Sequence, residues 1–294
     1  MVSVRFFTSF AAASLIATTA YAADMMVPPP PPYQPPPPMV YQPPPMVAPV
    51  ASGWYLRGDV GVGIQTFGDF PHHQTNSAFV WPASWSIVQK DVQDSAILGF
   101  GVGYEWNNWF RTDFTAEYRT KALFKATGSF TEFCGGGTCF DVTEGNVASA
   151  VFMANAYFDL GTWWCITPYV GAGLGGAYSR ITGVQDLGII APGGTVGFGL
   201  TQNDLNSWNF AWNAQAGVTY NVSNSFKVDF NARYLHMGSP ATAEVFCQNT
   251  PSCPGATYNL NNFNSWDFRI GLRWMLQPDM VPVMAPPPPL MSRG

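Results

Sequence analysis

The segment from Asn264 to Leu276 reads NSWDFRIGLRWML and divides its residues by a strict alternation. A period of two predicts a β-strand. In a soluble sheet the apolar face of such a strand points to a core, whereas in a membrane barrel it points to lipid and the polar face points to the lumen. The apolar face consists of Trp266, Phe268, Ile270, Leu272, Trp274 and Leu276. The opposite face carries Asp267, Arg269, Gly271, Arg273 and Met275.

The same alternation occurs in seven earlier segments, so eight strands are predicted. They are residues 53–64, 95–105, 110–120, 146–160, 166–179, 207–221 and 225–236. The long connections between the strands cover residues 65–93, 121–145, 180–205 and 237–262, and they alternate with short turns. An even number of antiparallel strands with all short turns on one side is the layout of an outer-membrane barrel. We therefore predict an all-β fold, an eight-stranded antiparallel transmembrane β-barrel, with long loops outside and both chain ends in the periplasm.

The composition favours this interpretation over a soluble barrel or sandwich. Apolar residues make up 47% of the chain and charged residues only 11%. After the first 22 residues no run of 18 apolar residues occurs, which excludes a helical membrane protein. A soluble β-sandwich or lipocalin-like barrel stays open as the alternative, but the apolar faces carry almost no charge and tryptophan clusters at the short-turn ends. We expect a periplasmic aromatic girdle formed by Trp54, Trp106, Trp109, Trp163, Trp164 and Trp274.

The two ends of the chain differ from the central 53–276 barrel domain. Residues 1–22 combine one basic residue, an apolar run and the triplet Ala20-Tyr21-Ala22, which is typical of a signal peptide. Residues 23–52 and 277–294 are rich in proline, which locks φ and supplies no backbone donor. We expect both to be disordered periplasmic segments of extended polyproline II type, with docking to an aromatic groove as the alternative.

Three stretches carry a family resemblance: GWYLRGDVGVG, GVGYEWNNWFRTDFTAEYR and ANAYFDLGTWWCITPYVGAGLGGA. They resemble the small opacity-protein-like outer-membrane barrels of α-proteobacteria over residues 53–276. The resemblance implies an eight-stranded surface barrel with a role in envelope integrity, adhesion or porin-like transport. It carries no catalytic motif, so no site residue follows from it. The Pro-rich N-terminal segment and the Pro-rich tail depart from the family pattern.

The closing strand also resembles the signal that the outer-membrane assembly machinery reads. Its residues here are Arg269, Gly271, Trp274 and Leu276. The expected partners are therefore this machinery and the outer-membrane lipid with its lipopolysaccharide, and peptidoglycan or a host surface are further candidates. The formal net charge is −5 without a basic stripe, so nucleic acid is not an expected partner.

The predicted inward faces hold seven positive and seven negative side chains. They are Arg57, Arg111, Arg119, Lys227, Arg233, Arg269 and Arg273, with Asp59, Glu105, Asp113, Glu117, Asp159, Asp229 and Asp267. An eight-stranded barrel is just wide enough for its side chains to fill it, and unpaired charge there is costly. We expect a neutralising ion-pair network that fills the lumen. A narrow, charge-lined pore stays open, because the glycine-rich inner faces of strands one, two and five leave local room.

The five cysteines suggest loop disulfides. Cys134 and Cys139 lie in one long loop, and Cys247 and Cys253 lie in another. An exported chain meets an oxidising compartment, so two local disulfides are the simplest pairing. A zinc site is the alternative, although the spacing does not fit a zinc knuckle, and we expect neither metal nor cofactor. Cys165 is left as a free thiol or an interchain partner.

These features favour a structural outer-membrane surface protein that supports envelope integrity and is not an enzyme. A low-conductance porin and a loop-mediated adhesin are the alternatives. A rim-located hydrolase or acyltransferase using His236, Ser239 and Glu244 is a third, and it is the least supported by the residue pattern.

Overall fold

The structure is a computed structural model that describes residues 52–74, 82–132, 134–190, 194–248 and 256–276. Among these residues no helix is long and apolar enough to cross a membrane. The predicted signal peptide and both Pro-rich segments, except Ser52, lie outside the described residues. The strands are β1 (Gly53–Thr66), β2 (His72–Gln74), β3 (Ser86–Val92), β4 (Ser95–Glu105), β5 (Phe110–Phe130), β6 (Cys139–Asp159), β7 (Ile166–Ile190), β8 (Gly194–Thr201), β9 (Leu205–Asn221), β10 (Phe226–His236), β11 (Val245–Cys247), β12 (Ala256–Tyr258) and β13 (Asn264–Met275).

Eight of these strands form a closed antiparallel ring. Its order is β1, β4, β5, β6, β7, β9, β10 and β13, and β1 pairs with both β4 and β13. Closure removes the free edges that an open sheet would expose. The prediction of an eight-stranded barrel is confirmed, and the ring strands begin and end close to the predicted bounds at the short-turn end.

The ring turns its apolar faces outward. On β13, Trp266 is 54% exposed whereas the neighbouring Asp267 is fully buried. The other ring strands show the same pattern of exposed apolar and buried polar positions. Such an arrangement is unfavourable in water and favourable in lipid, where the outer surface must be apolar. The soluble alternative, with aromatic faces inside, is therefore wrong.

Three ring strands continue well beyond the others at the end opposite the short turns. Strands β5, β6 and β7 run on past the start of β4 and pair there with β3 and β8, to which the short strands β11, β12 and β2 are added. We call this outer part the dome. Residues 121–145 and 180–205 were expected to be loops, but most of them are strands of the dome. A bulge in β5 between Arg119 and Ala122, and one in β7 between Thr182 and Gln185, shift the alternation by one residue, which hides the continuation of these strands in the sequence.

A continuous apolar core joins the dome to the upper part of the ring interior. In the dome, Phe70 stacks on Tyr258 with ring centroids 5.1 Å apart, and Phe124 lies 6.1 Å from Phe70. Inside the ring the core includes a set that we call the apolar layer. It consists of Val151, Met153, Ala177, Ala211 and Leu235, all of which are fully buried. On β6, β7, β9 and β10 the outer part of the ring interior is therefore largely apolar, apart from the buried Ser149–Ser179 hydrogen bond, and the part towards the short turns is polar.

Candidate functional site

The candidate site is the polar part of the ring interior, because all fourteen predicted inward charges meet there. Every one of them makes an ion pair within the ring. The alternation of each strand places these side chains on the inner face, and ring closure brings distant strands together. The pairs form four groups, which we describe from the apolar layer towards the short turns.

The first group lies next to the apolar layer and has Arg233 at its centre. The Arg233 guanidinium lies 2.5 Å from a Glu117 carboxylate oxygen and 2.6 Å from an Asp267 oxygen. Arg269 pairs with Glu117 at 2.6 Å, and Arg119 pairs with Asp267 and also donates to the Ser265 hydroxyl. Three guanidinium groups face two carboxylates, so this outer group carries a net charge of +1.

The second group is formed by Arg57 and two carboxylates. Arg57 binds Asp59 at 2.7 Å through one nitrogen and Asp113 at 2.7 Å through another. It also donates to the Tyr157 hydroxyl at 2.9 Å. One cation faces two anions, so the group carries a net charge of −1, which balances the outer group.

A chain of side-chain amides connects these two groups. The amide of Asn155 donates to Asp113 at 2.8 Å, and the far end of the chain, Asn231, accepts from Arg269 at 2.7 Å. The links between them run through Asn155, Asn213, Gln215 and Asn231. Sequence reasoning did not include these amides in the network, although the alternation that selected the charges selects them too. Because the chain joins groups of opposite net charge, the interior is one connected polar structure.

The remaining two groups lie at the short-turn mouth of the ring. Glu105 pairs with Lys227 at 2.8 Å and with Arg273 at 2.8 Å, and Arg273 also reaches Asp229 at 3.1 Å. Glu105, Lys227 and Arg273 line a mouth cavity of about 390 Å³. In the other group, Arg111 pairs with Asp159 at 3.2 Å.

Arg111 is held by aromatic faces as well as by its ion pair. Its guanidinium carbon lies 4.0 Å from the Tyr157 ring centroid and 4.5 Å from that of Tyr169. Cation–π contact of this kind favours a guanidinium over water in a narrow space. Arg111 is therefore a fully buried cation between two tyrosine rings, and its two terminal nitrogens have no hydrogen-bond partner among the described residues.

Large side chains of neighbouring strands cover several of the inward-facing glycines, on which the alternative of a narrow pore depended. A Cβ added at Gly171 would lie 2.7 Å from the Tyr157 ring, and one at Gly217 would lie 2.7 Å from the Tyr169 ring. The Tyr55 hydroxyl would be 2.5 Å from a Cβ at Gly103. These glycines provide the room into which the large inward side chains fit. The sequence pattern showed the small residues but not the residues of neighbouring strands that cover them.

The six predicted girdle tryptophans all lie at the short-turn end of the ring and are more than half exposed. A second aromatic belt, which the sequence analysis missed, lies at the outer end of the ring. It comprises Tyr118, Phe152, Tyr178, Trp208, Phe210, Trp212, Tyr234 and Trp266. Trp266 and Trp274 are eight residues apart on β13, which is about 27 Å along a strand and about 21 Å along the membrane normal at a typical tilt. That separation is close to the apolar band of about 25 Å that such barrels present.

Of the predicted assembly residues, Arg269 and Gly271 face the interior, whereas Trp274 and Leu276 face outward and are 59% and 51% exposed. Cys134 and Cys139 form a disulfide, and Cys165 is an exposed free thiol. The predicted pair Cys247–Cys253 falls outside the described side chains. Within the described part of the chain, no group of three or more His, Cys, Asp or Glu is arranged to hold a metal ion.

His236 has contacts with residues other than the proposed catalytic partners. Its Nδ1 lies 2.7 Å from Asn264 Oδ1, and its ring stacks on Trp212. The Ser239 hydroxyl accepts a hydrogen bond from the Asn262 backbone N–H at 3.3 Å.

Comparison with known proteins agrees with this architecture. A family model described as the outer membrane protein beta-barrel domain matches residues 42–275. The chain belongs to this family. The protein is accordingly an outer-membrane protein, and its barrel is of the opacity-like type that the sequence resemblance indicated.

The individual relatives share only modest sequence identity with this chain. An uncharacterized protein of Brucella abortus (strain 2308) is 31% identical over 206 residues, which cover 64% of this chain and 69% of the relative. The outer membrane protein PagN of Salmonella typhimurium is 25% identical over 143 residues, covering 48% and 56%. Among solved structures, the outer membrane protein OprG from Pseudomonas aeruginosa has 11% identity and a TM-score of 0.45, covering 77% of this chain and 97% of that one.

Proposed function

We propose that this protein is a structural component of the outer membrane and that its interior is closed to solutes. The observation that carries the proposal is the complete pairing of the fourteen inward charges, together with the apolar layer beyond them. A conducting lumen needs a continuous path of water, and both layers oppose one. In the polar part the side chains bind each other across the ring, and in the apolar layer they offer no polar partner to water.

The balance of charge supports the same proposal. A pore that selects ions usually presents a ring of like charges to the solute. Here the inward charges sum to zero, and each one is bound to a partner rather than directed along an axis. Removing a buried charge from water is costly unless its partners are well placed, so such a balanced set is expected where the interior is filled.

The proposal is tested by measuring the conductance of the purified, refolded full-length protein in a planar bilayer across a range of salt concentrations. Folding is checked beforehand by the heat-dependent gel shift that barrels of this kind show. We expect a silent bilayer. Discrete, reproducible steps that scale with salt would overturn the closed interior and make the low-conductance porin the correct function.

A second candidate, adhesion through the outer surface, is favoured by the dome. Strands β5, β6 and β7 are 21, 21 and 25 residues long, longer than the crossing of the apolar band requires. The extra length builds an ordered, disulfide-containing structure outside the membrane. Replacing residues 65–93, 121–145, 180–205 and 237–262 by short turns should abolish binding of cells to a host surface if the dome is the adhesive part. Binding that survives the replacement would exclude this function.

The proposal also includes partners and orientation. We propose that the short turns and both chain ends face the periplasm, and that the assembly machinery reads Arg269, Gly271, Trp274 and Leu276 on the closing strand. Contact of the Pro-rich ends with peptidoglycan is a further proposal. No catalytic role is proposed, because His236 is occupied by Asn264 and Trp212.

A further inference from the structure

The charges outside the ring interior are unevenly distributed. The described part of the chain carries nine acidic and four basic side chains there, all at the dome end. The basic ones are Lys90, Lys121, Lys125 and Arg180. A net negative surface repels anions on average. A pair of basic side chains at the edge of the membrane is therefore an exception to the charge of this surface.

Two of the four cations lie in one row just above the outer aromatic belt. Across strands β5, β6 and β7, Tyr118 pairs with Ala150, and Ala150 pairs with Tyr178. The next outward-facing row contains Lys121 at the β5 bulge, Ala148 on β6 and Arg180 on β7. Both cations are exposed. Neighbouring strands are about 4.8 Å apart, so the two Cα atoms are separated by about 10 Å.

The residues between and beyond the two cations are small or polar. Ala148 has a small side chain, and Asn146 and Thr182 follow in the next row outward, where they pair with each other. In the described part of the chain Lys121 makes no ion pair. Arg180 pairs with Asp204 at 2.5 Å, but its side chain remains 58% exposed and can be shared with a second anion.

From this placement we propose that Lys121 and Arg180 bind the phosphate groups of a lipid headgroup in the outer leaflet. The aromatic row of Tyr118, Tyr178 and Trp208 lies at the level where apolar chains end and headgroups begin. A phosphorylated glycolipid seated with its acyl chains against this row brings its phosphates to the level of the cations. Basic side chains at this depth attract anionic headgroups, each with an effect of about fivefold on binding.

Lys125 provides a matched control on the same strand. It lies four residues beyond Lys121, about 13 Å farther along the strand and about 10 Å farther from the membrane. Its cross-strand neighbours are Asp91 on β3 and Glu144 on β6, so its charge is already balanced by two acids. It has the same chemistry as Lys121 but neither the depth nor the free charge that the proposal requires.

The test measures how much phosphorylated glycolipid stays bound to the barrel. The full-length protein is refolded into phosphatidylcholine vesicles containing lipid A, either with its phosphates or with the phosphates removed. It is then extracted into mild detergent, and the bound lipid is counted by mass spectrometry. We expect Lys121→Gln combined with Arg180→Gln to lower retention about twenty-five-fold, Lys125→Gln to leave it unchanged, and Asp204→Asn to raise it.

Three results would overturn the proposal. They are equal retention by the double variant and the unchanged protein, equal retention of lipid A with and without phosphates, and an equal loss with Lys125→Gln. Folding of each variant is checked by the gel shift. If the double variant does not fold, the comparison of the two lipids on the unchanged protein and the Asp204→Asn variant still decide the question.

Discussion

The ion-pair network makes a specific prediction for Arg233, whose side chain is 1% exposed and binds two carboxylates. Replacing it with methionine keeps most of the length and volume and removes the charge. Four hydrogen bonds are lost, two to Glu117 and two to Asp267. The two carboxylates are not left alone, because Glu117 keeps Arg269 and Asp267 keeps Arg119.

The magnitude follows from these contacts. Hydrogen bonds to charged groups contribute about 1.5–3 kcal/mol each, so four of them set an upper range of about 6–12 kcal/mol. The buried methionine returns about 1.5–3 kcal/mol, and the remaining partners of both carboxylates reduce the loss further. We expect Arg233→Met to lower the free energy of unfolding by about 3–5 kcal/mol, as is usual when one partner of a buried pair is removed.

The assay is urea unfolding in lipid vesicles, followed by tryptophan fluorescence and the gel shift. Arg180→Met is the matched control, because Arg180 forms an exposed pair with Asp204 that should contribute about 0–1 kcal/mol. Combining Arg233→Met with Glu117→Gln should cost about 1–3 kcal/mol less than the sum of the two single changes. A loss for Arg233→Met no larger than that for Arg180→Met, or strict additivity, would refute the reasoning.

Three further predictions concern the dome, the apolar layer and one hairpin. Burial and the neighbouring Asp186 carboxylate raise the pKa of Asp141 well above its usual range, so the folded dome holds a proton there and loses stability as the pH rises through that pKa. Asp141→Asn should remove this loss of stability, as measured by hydrogen exchange of the dome strands at a series of pH values above about 4. Met153→Ala with Leu235→Ala should leave a planar bilayer silent, and adding Arg233→Ala and Glu117→Ala should produce discrete conductance steps. Trp164 and Cys165 occupy a two-residue turn with φ of 48° and 72°, so Asn-Gly in their place should stabilise the barrel by about 1–2 kcal/mol in urea unfolding.

The ring could be predicted because each of its strands is amphipathic with a period of two. From Trp266 to Trp274 of β13 every second residue is apolar and exposed, and the residues between are buried and, except for Gly271, polar. This pattern is local, so it is readable in a single sequence. The same applies to the fourteen inward charges, whose membership in the inner face follows from position along the strand alone.

The dome and the filling of the glycine faces could not be predicted, because both depend on contacts between distant residues. The bulge between Arg119 and Ala122 breaks the alternation of β5. Beyond it the inward-facing positions are apolar instead of polar, and Phe124 is fully buried. Likewise the position of the Tyr169 ring over Gly217 depends on the register of β7 against β9. Period-two reasoning has no access to register between strands.

The partners within the network indicate a role in ring closure itself. Several ion pairs join the first half of the ring to the last: Glu117 of β5 binds Arg233 of β10, and Glu105 of β4 binds Arg273 of β13. Such pairs are separated by more than a hundred residues, and an open sheet would leave them too far apart to meet. A slip of one residue in any strand would turn its charges towards lipid. We infer that the balanced charges disfavour open and misregistered sheets more than they stabilise the native ring, because a buried charge without its partner costs more than a paired one contributes.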